Sequence, residues 1–241
     1  MTAAGPLAGR TALVTGASRG IGQAAAARLA AAGARVALLA RSAEALARVA
    51  ASLGPGAVPV VCDVTRTGAV EEASARVADA FGAVPDVLVN NAGLFHLQAL
   101  EETTPSDFAR TLETNLVAPF RFAHAFLGAM RDRGSGHVVT IGSIADRTTF
   151  PENGAYAASK YGLRAMHEVM RAELRGSGVR ATLVSPGPVD TPLWDPIDPE
   201  SRPGFTPRAA MLSAAAVADA ILYALTCPPS VNVDELRLTR A

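Results

Sequence analysis

The sequence has few cysteines and no excess charge of either sign. Cys62 and Cys227 are the only cysteines in 241 residues, and they lack a Cys-x-x-Cys spacing or histidines at ligand spacing. This argues against a disulfide framework and a zinc site. The 22 basic and 22 acidic residues form no like-charged block, which disfavours binding to nucleic acid or to a membrane surface. We therefore expect a reduced intracellular protein without a metal site.

Long apolar runs are also missing. No stretch approaches the roughly 20 apolar residues that cross a bilayer, and the opening MTAAGPLAGR lacks the basic and apolar segments of a signal peptide. Both absences predict a soluble cytoplasmic protein that does not associate with membranes. With 49% hydrophobic residues over 241 positions, the chain can bury one substantial core, and a single domain over residues 1–241 is expected.

Short apolar runs alternate with helical stretches along the chain. The runs lack strict alternation of polar and apolar residues, which is typical of parallel strands covered on both faces. Helices are predicted before Gly33, Gly54 and Gly82, since glycine commonly follows a helix C-terminus. Two longer helices are predicted, one from about 106 into AHAFLGAM and one over 153–176. The predicted strands are TALVTG (11–16), RVALLA (35–40), AVPVVC (57–62), DVLVNN (86–91), GHVVTIGS (136–143) and VRATLVSPG (179–187).

This order predicts an α/β protein with a doubly wound Rossmann fold, in which helices flank both faces of a mainly parallel sheet. The cofactor-binding part is expected at about 8–145 and the catalytic helix at about 153–176. Residues 186–207 contain seven prolines and three aspartates. A composition that breaks regular structure at this place predicts a mobile substrate lid over about 188–212.

A glycine-rich turn, TGASRGIG, follows the first predicted strand and leads into a helix. Gly16, Gly20 and Gly22 allow a tight turn and close approach of the backbone to a pyrophosphate. The free N–H groups and the dipole of the following helix attract an anion. A simple strand-to-helix connection is the alternative, but the placement inside a β-α-β unit favours a nucleotide.

The end of the second predicted strand reads LLARS, so Ala40 stands where an acidic residue would bind the ribose 2'-hydroxyl of NAD. Arg41 follows it, and Arg19 lies in the glycine-rich turn. Guanidinium groups suit a 2'-phosphate, so the pair predicts NADP(H) rather than NAD. Alternatively, either arginine alone is a solvated surface charge.

Several motifs in order complete a resemblance to the classical short-chain dehydrogenases/reductases. They are TGASRGIG, NNAG (90–93), Asn115 in TNLVAPF, Ser143, YAASK (156–160) and PGPVDT (186–191), and they span nearly the whole chain. The resemblance implies an NADP(H)-dependent oxidoreductase that interconverts a ketone or aldehyde and an alcohol. It also implies a homodimer or homotetramer, formed through the two long helices.

The chemistry of the implied catalytic residues can be argued from their types. A free tyrosine has a pKa of about 10, and Lys160, one helical turn beyond Tyr156, shares its helix face and is expected to lower that pKa. The resemblance makes Tyr156 the acid/base, lets Ser143 bind the substrate oxygen, and gives Lys160 the nicotinamide ribose as a further ligand. Asn115 would hold a water in a proton relay; alternatively it is a polar cap or a buried bridge in its helix.

The resemblance also implies a wider cofactor site. Asp63 would lie near the adenine ring, although it could equally start the next helix as an N-cap. The segment NNAG would shape the wall beside the adenosine, with stabilisation of the sheet as the alternative role of Asn90 and Asn91. The predicted cofactor-binding residues are Gly16, Ser18, Arg19, Gly20, Ile21, Gly22, Arg41, Ser42, Asp63, Val64, Asn90, Ala92, Gly93, Tyr156, Lys160, Pro186, Gly187, Val189 and Thr191.

The substrate side is less defined by sequence. His96, Phe150, Leu193 and Trp194 are candidate pocket residues, with a surface or core position as the alternative for His96. Many relatives have a glycine shortly after the active serine, where this chain has Asp146 and Arg147. The ending VNVDELRLTRA lacks the glycine-rich C-terminus of many reductases of fatty-acid synthesis, which argues against an acyl-carrier substrate. An NAD-linked alcohol dehydrogenase and a non-catalytic NADP-binding regulator remain alternatives.

Overall fold

A seven-stranded, fully parallel sheet forms the centre of the molecule. The computed structural model describes residues 5–241. The predictions of a single domain over 1–241 and of the opening MTAAGPLAGR include residues 1–4, which lie outside the described residues. The sheet strands are β1 (Thr11–Thr15), β2 (Arg35–Ala40), β3 (Ala57–Val61), β4 (Val87–Asn90), β5 (Gly136–Ile141), β6 (Val179–Pro186) and β9 (Glu235–Leu238), and two short strands, β7 (Val189–Asp190) and β8 (Leu212–Ser213), pair separately. The spatial order is β3-β2-β1-β4-β5-β6-β9.

Helices cover both faces of this sheet. They are α1 (Gly20–Ala31), α2 (Ala43–Leu53), α3 (Ala69–Phe81), α4 (Pro105–Leu112), α5 (Ala118–Arg133), α6 (Gly154–Glu173) and α7 (Ala214–Thr226). Side chains of α1, α2 and α7 pack in one core layer, and those of α3, α5 and α6 in the other. Successive strand residues serve opposite layers, as Leu13 and Val14 do in β1, because side chains alternate across a sheet. The doubly wound fold is thereby confirmed.

The last sheet strand was not predicted from the sequence. β9 pairs in parallel with β6, with Leu183 opposite Glu235. Its residues ELRL alternate between exposed and half-buried positions, because an edge strand is covered on one side only. This pattern differs from the continuous apolar runs of the inner strands, so a search for such runs misses it.

The predicted long helix that begins near 106 is also different in detail. The chain is helical from Pro105 to Arg133, but Glu113–Val117 form a π-helical turn between α4 and α5. Such turns insert an extra residue into a helix and are frequent at functional sites. Asn115 lies inside this turn and is fully buried.

Two buried histidines join β5 to its neighbours α6 and β6. The Nδ1 atom of His167 in α6 lies 2.9 Å from the Thr140 hydroxyl of β5, and Nε2 of His137 lies 2.8 Å from the Thr182 hydroxyl of β6. Burial lowers the pKa of His167 to about 4 and that of His137 to about 3. Both rings are therefore neutral near pH 7, and they act as polar bridges inside the core.

Within residues 5–241, no helix is both long enough and apolar enough to cross a membrane.

Candidate active site

A cleft of about 1710 Å³ opens along the carboxyl ends of the central strands. Parallel strands present their carboxyl ends at the same sheet edge, and the chain order reverses between β1 and β4. Ligands of open α/β sheets bind at such a reversal point. The walls of the cleft come from the turn after β1, the ends of β2, β4 and β5, the start of α6 and the segment after β6.

The glycine-rich turn leaves no room for side chains at Gly16 and Gly22. Gly16 has φ +68°, and a Cβ atom on it would lie 2.9 Å from the Ala92 Cα atom. A Cβ atom on Gly22 would lie 2.3 Å from the Gly16 carbonyl oxygen. The Asn91 side-chain amide donates to the Thr15 carbonyl at 2.8 Å and thereby ties the turn to β4. No side chain caps the N-terminus of α1 and no acidic residue lies in its first turn, an arrangement that suits an anion.

The two arginines predicted to bind a phosphate line the same end of the cleft. Arg19 and Arg41 are exposed, and neither side chain makes a hydrogen bond or ion pair within residues 5–241. A third arginine, Arg48, also lines the cleft, but it is paired with Glu44 one helical turn away. This end of the cleft therefore holds two unpaired positive charges.

Asp63 lies near Arg41 and adopts a local turn. Its carboxylate accepts hydrogen bonds from the backbone N–H of Thr65 at 3.0 Å and from the Thr65 hydroxyl at 2.7 Å. These bonds, with a smaller contribution from Arg41, hold its pKa below the usual value. The alternative that Asp63 starts the next helix is wrong, because α3 begins at Ala69 after Gly68.

Ser143, Tyr156 and Lys160 meet at the centre of the cleft. The Lys160 ammonium lies 5.6 Å from the centre of the Tyr156 ring and donates a hydrogen bond of 2.8 Å to the Ile141 carbonyl at the end of β5. The Ser143 hydroxyl accepts from the Ala145 N–H at 3.1 Å, which holds the turn that follows β5. A strand end and one helix thus supply a hydroxyl, a phenol and an ammonium to a common space.

The direction of the Tyr156 pKa shift differs from the sequence-based expectation. Burial raises the pKa of Tyr156 to about 12, and the nearby Ser143 hydroxyl only partly offsets this effect. Burial also lowers the pKa of Lys160 to about 8. The expected lowering of the Tyr156 pKa by Lys160 is not what the structure gives, since desolvation of the phenol dominates. Tyr156 is therefore a protonated phenol at neutral pH.

Asn115 lies behind this group. Its side-chain oxygen accepts from the Leu94 N–H at 2.8 Å, and its amide donates to the Leu94 carbonyl at 2.9 Å and to the Ser159 hydroxyl at 3.0 Å. The Ser159 hydroxyl in turn donates to the Tyr156 carbonyl at 2.6 Å. Asn115 is thus a buried bridge that joins the segment after β4 to α6, as its alternative interpretation predicts, and its relay role stays a prediction.

Most of the remaining predicted site residues line the cleft, but three of them do not. Gly22 packs beneath the turn, Asn90 is buried with its amide 3.4 Å from the Pro119 carbonyl, and His96 lines a small adjacent groove with Asp107. The predicted residues that do line the cleft, besides those described above, are Ser18, Gly20, Ile21, Ser42, Val64, Ala92, Gly93, Phe150, Pro186, Gly187, Val189, Thr191, Leu193 and Trp194.

A buried charge network stands directly behind the turn that carries Ser143. The Asp146 carboxylate, whose side chain is 0% exposed, binds the Arg147 guanidinium at 2.6 Å and accepts from the Ser185 hydroxyl at 2.6 Å. Arg147 also pairs with Glu235 on β9. Asp146 and Arg147, which depart from the family pattern, therefore link the turn that carries Ser143 to the edge strand β9.

Comparison with known proteins decides the family. The model of the short chain dehydrogenase family matches residues 10–202, which include the glycine-rich turn, Ser143, Tyr156 and Lys160. The chain belongs to the short-chain dehydrogenase family. Its members are oxidoreductases, and the predicted fold and family are both confirmed.

Individual relatives show how far the similarity extends. The chain is 37% identical over 241 residues to farnesol dehydrogenase of Aedes aegypti, covering 96% of each protein. It is 38% identical over 238 residues to the glycine betaine reductase ATRR of Emericella nidulans, but spans only 19% of that protein. A solved alcohol dehydrogenase from the archaeon Thermococcus sibiricus, complexed with 5-hydroxy-NADP, superimposes with a TM-score of 0.85 at 34% identity, covering 96% of this chain and 97% of the other.

Two features of the site were missed by sequence reasoning. Asn91, rather than Asn90, lines the cleft and holds the glycine-rich turn. Phe95 and Phe205 line the cleft as well, and their rings belong to the aromatic wall described below. A motif search assigns neither, because Phe95 falls after NNAG and Phe205 falls in the proline-rich segment.

Proposed function

We propose that this short-chain dehydrogenase uses NADP(H) to interconvert a ketone or aldehyde and an alcohol, with Tyr156 as the acid/base. The observation that carries the proposal is the convergence of Ser143, Tyr156 and Lys160 in a cleft whose other end holds the unpaired Arg19 and Arg41. The cofactor of the Thermococcus sibiricus enzyme, an NADP derivative, agrees with it.

The cleft fits a dinucleotide. The glycines of the turn after β1 admit a pyrophosphate at the uncapped start of α1, while Arg19 and Arg41 would hold a 2'-phosphate. When bound, the reduced cofactor supplies the hydride that adds to the carbonyl carbon. The residues of this chain bind the oxygen of that carbonyl group and supply its proton.

In the reducing direction, the carbonyl oxygen lies against the hydroxyls of Ser143 and Tyr156. The Ser143 hydroxyl donates a hydrogen bond that stabilises negative charge as it develops on this oxygen. The Tyr156 phenol, which is protonated at neutral pH, gives its proton to the oxygen. The Lys160 ammonium, 5.6 Å from the tyrosine ring, stabilises the phenolate that remains.

The direct test is a panel of aldehydes, ketones and alcohols, with NADPH absorbance as the readout. NADPH consumption is expected to depend on an added carbonyl and to yield one alcohol per cofactor oxidised. If the protein binds NADPH tightly and transfers no hydride to any member of the panel, the enzymatic proposal fails and the non-catalytic regulator is favoured.

The choice of cofactor can be tested through Arg41. Removing a charged hydrogen-bond partner of a phosphate costs about 1.5–3 kcal/mol, so Arg41→Ala is expected to raise KM for NADPH at least about tenfold and to change KM for NADH by less than about twofold. Arg48→Ala is the matched control, since Arg48 lines the same cleft but is paired with Glu44, and a smaller effect is expected. An unchanged preference in Arg41→Ala would refute the role of this arginine.

A further inference from the structure

A continuous row of aromatic rings runs from the proposed acid/base into the lid segment. The Tyr156 and Phe95 ring centres are 4.7 Å apart with a 60° interplanar angle, and Phe95 and Trp194 are 5.3 Å apart at 75°. Trp194 and Phe205 follow at 6.4 Å and 83°. The last two pairs have the favourable edge-to-face geometry, and the first is tilted, with its ring centres also within the contact range of aromatic pairs. All four residues line the cleft, and we call Phe95, Trp194 and Phe205 the aromatic wall.

The aromatic wall is held in place from outside. The Trp194 indole N–H donates to the Val189 carbonyl at 3.1 Å, which orients its ring. The Arg202 guanidinium lies over the Phe205 ring, 5.6 Å from its centre, and pairs with Glu152 at 2.7 Å. Because Glu152 belongs to the loop before α6, this pair ties the lid segment to the catalytic helix. The wall is thus a defined surface whose rings have fixed neighbours.

The charges around the aromatic wall are neutralised. Arg110, Glu152 and Arg202 line this end of the cleft. Arg110 pairs with Asp107 at 3.3 Å, and Arg202 pairs with Glu152. Among the lining residues that the structure describes here, no cation is left over to bind a carboxylate or phosphate of a substrate. This contrasts with Arg19 and Arg41 at the other end.

We infer that the substrate is a neutral carbonyl compound with an aromatic ring beside the carbonyl group, and that Phe95, Trp194 and Phe205 determine this specificity. The inference rests on the proposed function for the reacting groups. A carbonyl oxygen bound by Tyr156 and Ser143 leaves its substituent against the Phe95 ring, which touches the tyrosine. An aryl group there buries apolar area against the wall, whereas a carboxylate would lose its hydration without gaining a partner.

The test compares acetophenone, butanone and the carboxylate phenylglyoxylate as substrates with NADPH. Wild-type kcat/KM is expected to be at least about tenfold higher for acetophenone than for either of the others. Phe95→Leu, which keeps an apolar side chain but removes the flat ring, is expected to lower kcat/KM for acetophenone about tenfold and for butanone less than about twofold.

Phe205→Leu is the second variant, with the same direction expected. Tyr223→Leu, at an exposed ring on α7, is the control. Equal values for acetophenone and butanone, or a preference for phenylglyoxylate, would overturn the inference.

A binding measurement separates this inference from the proposed function. Trp194 is the only tryptophan in the chain, so its fluorescence reports on the wall without any turnover. Saturable quenching by 1-phenylethanol, weakened in Phe95→Leu, supports the aromatic site even if no carbonyl is reduced. Reduction of butanone without quenching by 1-phenylethanol, and without preference for acetophenone, supports the proposed function and overturns the aromatic specificity.

Discussion

Replacing Tyr156 with phenylalanine is expected to lower kcat for carbonyl reduction by about a thousandfold, within the range that a general acid contributes. The substitution removes only the hydroxyl. The ring that packs against Phe95 at 4.7 Å stays in place, so the fold and the aromatic contact should persist. The measurement is steady-state NADPH oxidation at saturating concentrations of NADPH and of a carbonyl that the wild-type protein reduces.

Tyr161→Phe is the matched control for this variant. Tyr161 lies on the same helix, α6, but is 43% exposed, and its loss of a hydroxyl is expected to change kcat by less than about twofold. Affinity for NADPH should be nearly equal in the two variants and the wild type. If Tyr156→Phe keeps more than a tenth of the wild-type kcat, Tyr156 is not the proton donor.

Replacing Arg147 with alanine is expected to lower the free energy of unfolding by about 3 kcal/mol. The substitution leaves the buried Asp146 carboxylate without its ion-pair partner. An unpaired charge in the protein interior is strongly destabilising. The Asp146 side chain is 0% exposed, and with Arg147 gone its remaining hydrogen bond comes from Ser185. Urea unfolding at neutral pH, followed by circular dichroism, measures the loss.

Two further variants identify the cause of that loss. Asp146→Ala combined with Arg147→Ala is expected to recover part of the stability, since the stranded charge is removed together with its partner. Arg164→Ala breaks a more exposed pair with Glu168 on α6 and should cost less than about 1 kcal/mol. A double variant as unstable as Arg147→Ala alone would show that the stranded charge is not the cause.

The inner strands and most helices could be predicted because their signals are local. A buried parallel strand reads as a continuous apolar run, and Gly33, Gly54 and Gly82 end three helices as expected. The edge strand β9 was not predicted, because half its residues face solvent and it therefore lacks a continuous apolar run. The π-helical turn at Asn115 could not be predicted, because one extra residue in a helix does not change the local composition. The hydrogen bonds from Asn115 to Leu94 and Ser159 also depend on segments that are distant in the sequence.

The sequence by itself determined the family, the fold and the set of candidate groups, because turn glycines and the four-residue spacing from Tyr156 to Lys160 act over short stretches of chain. Only the tertiary structure decided the direction in which the pKa values of that pair shift, since both shifts depend on how far the folded protein desolvates the two groups. It also decided that Arg147 pairs with Glu235, 88 residues away, and that Phe95, Trp194 and Phe205 form one wall. Contacts between residues far apart in the chain arise from packing, for which the sequence has no fixed spacing.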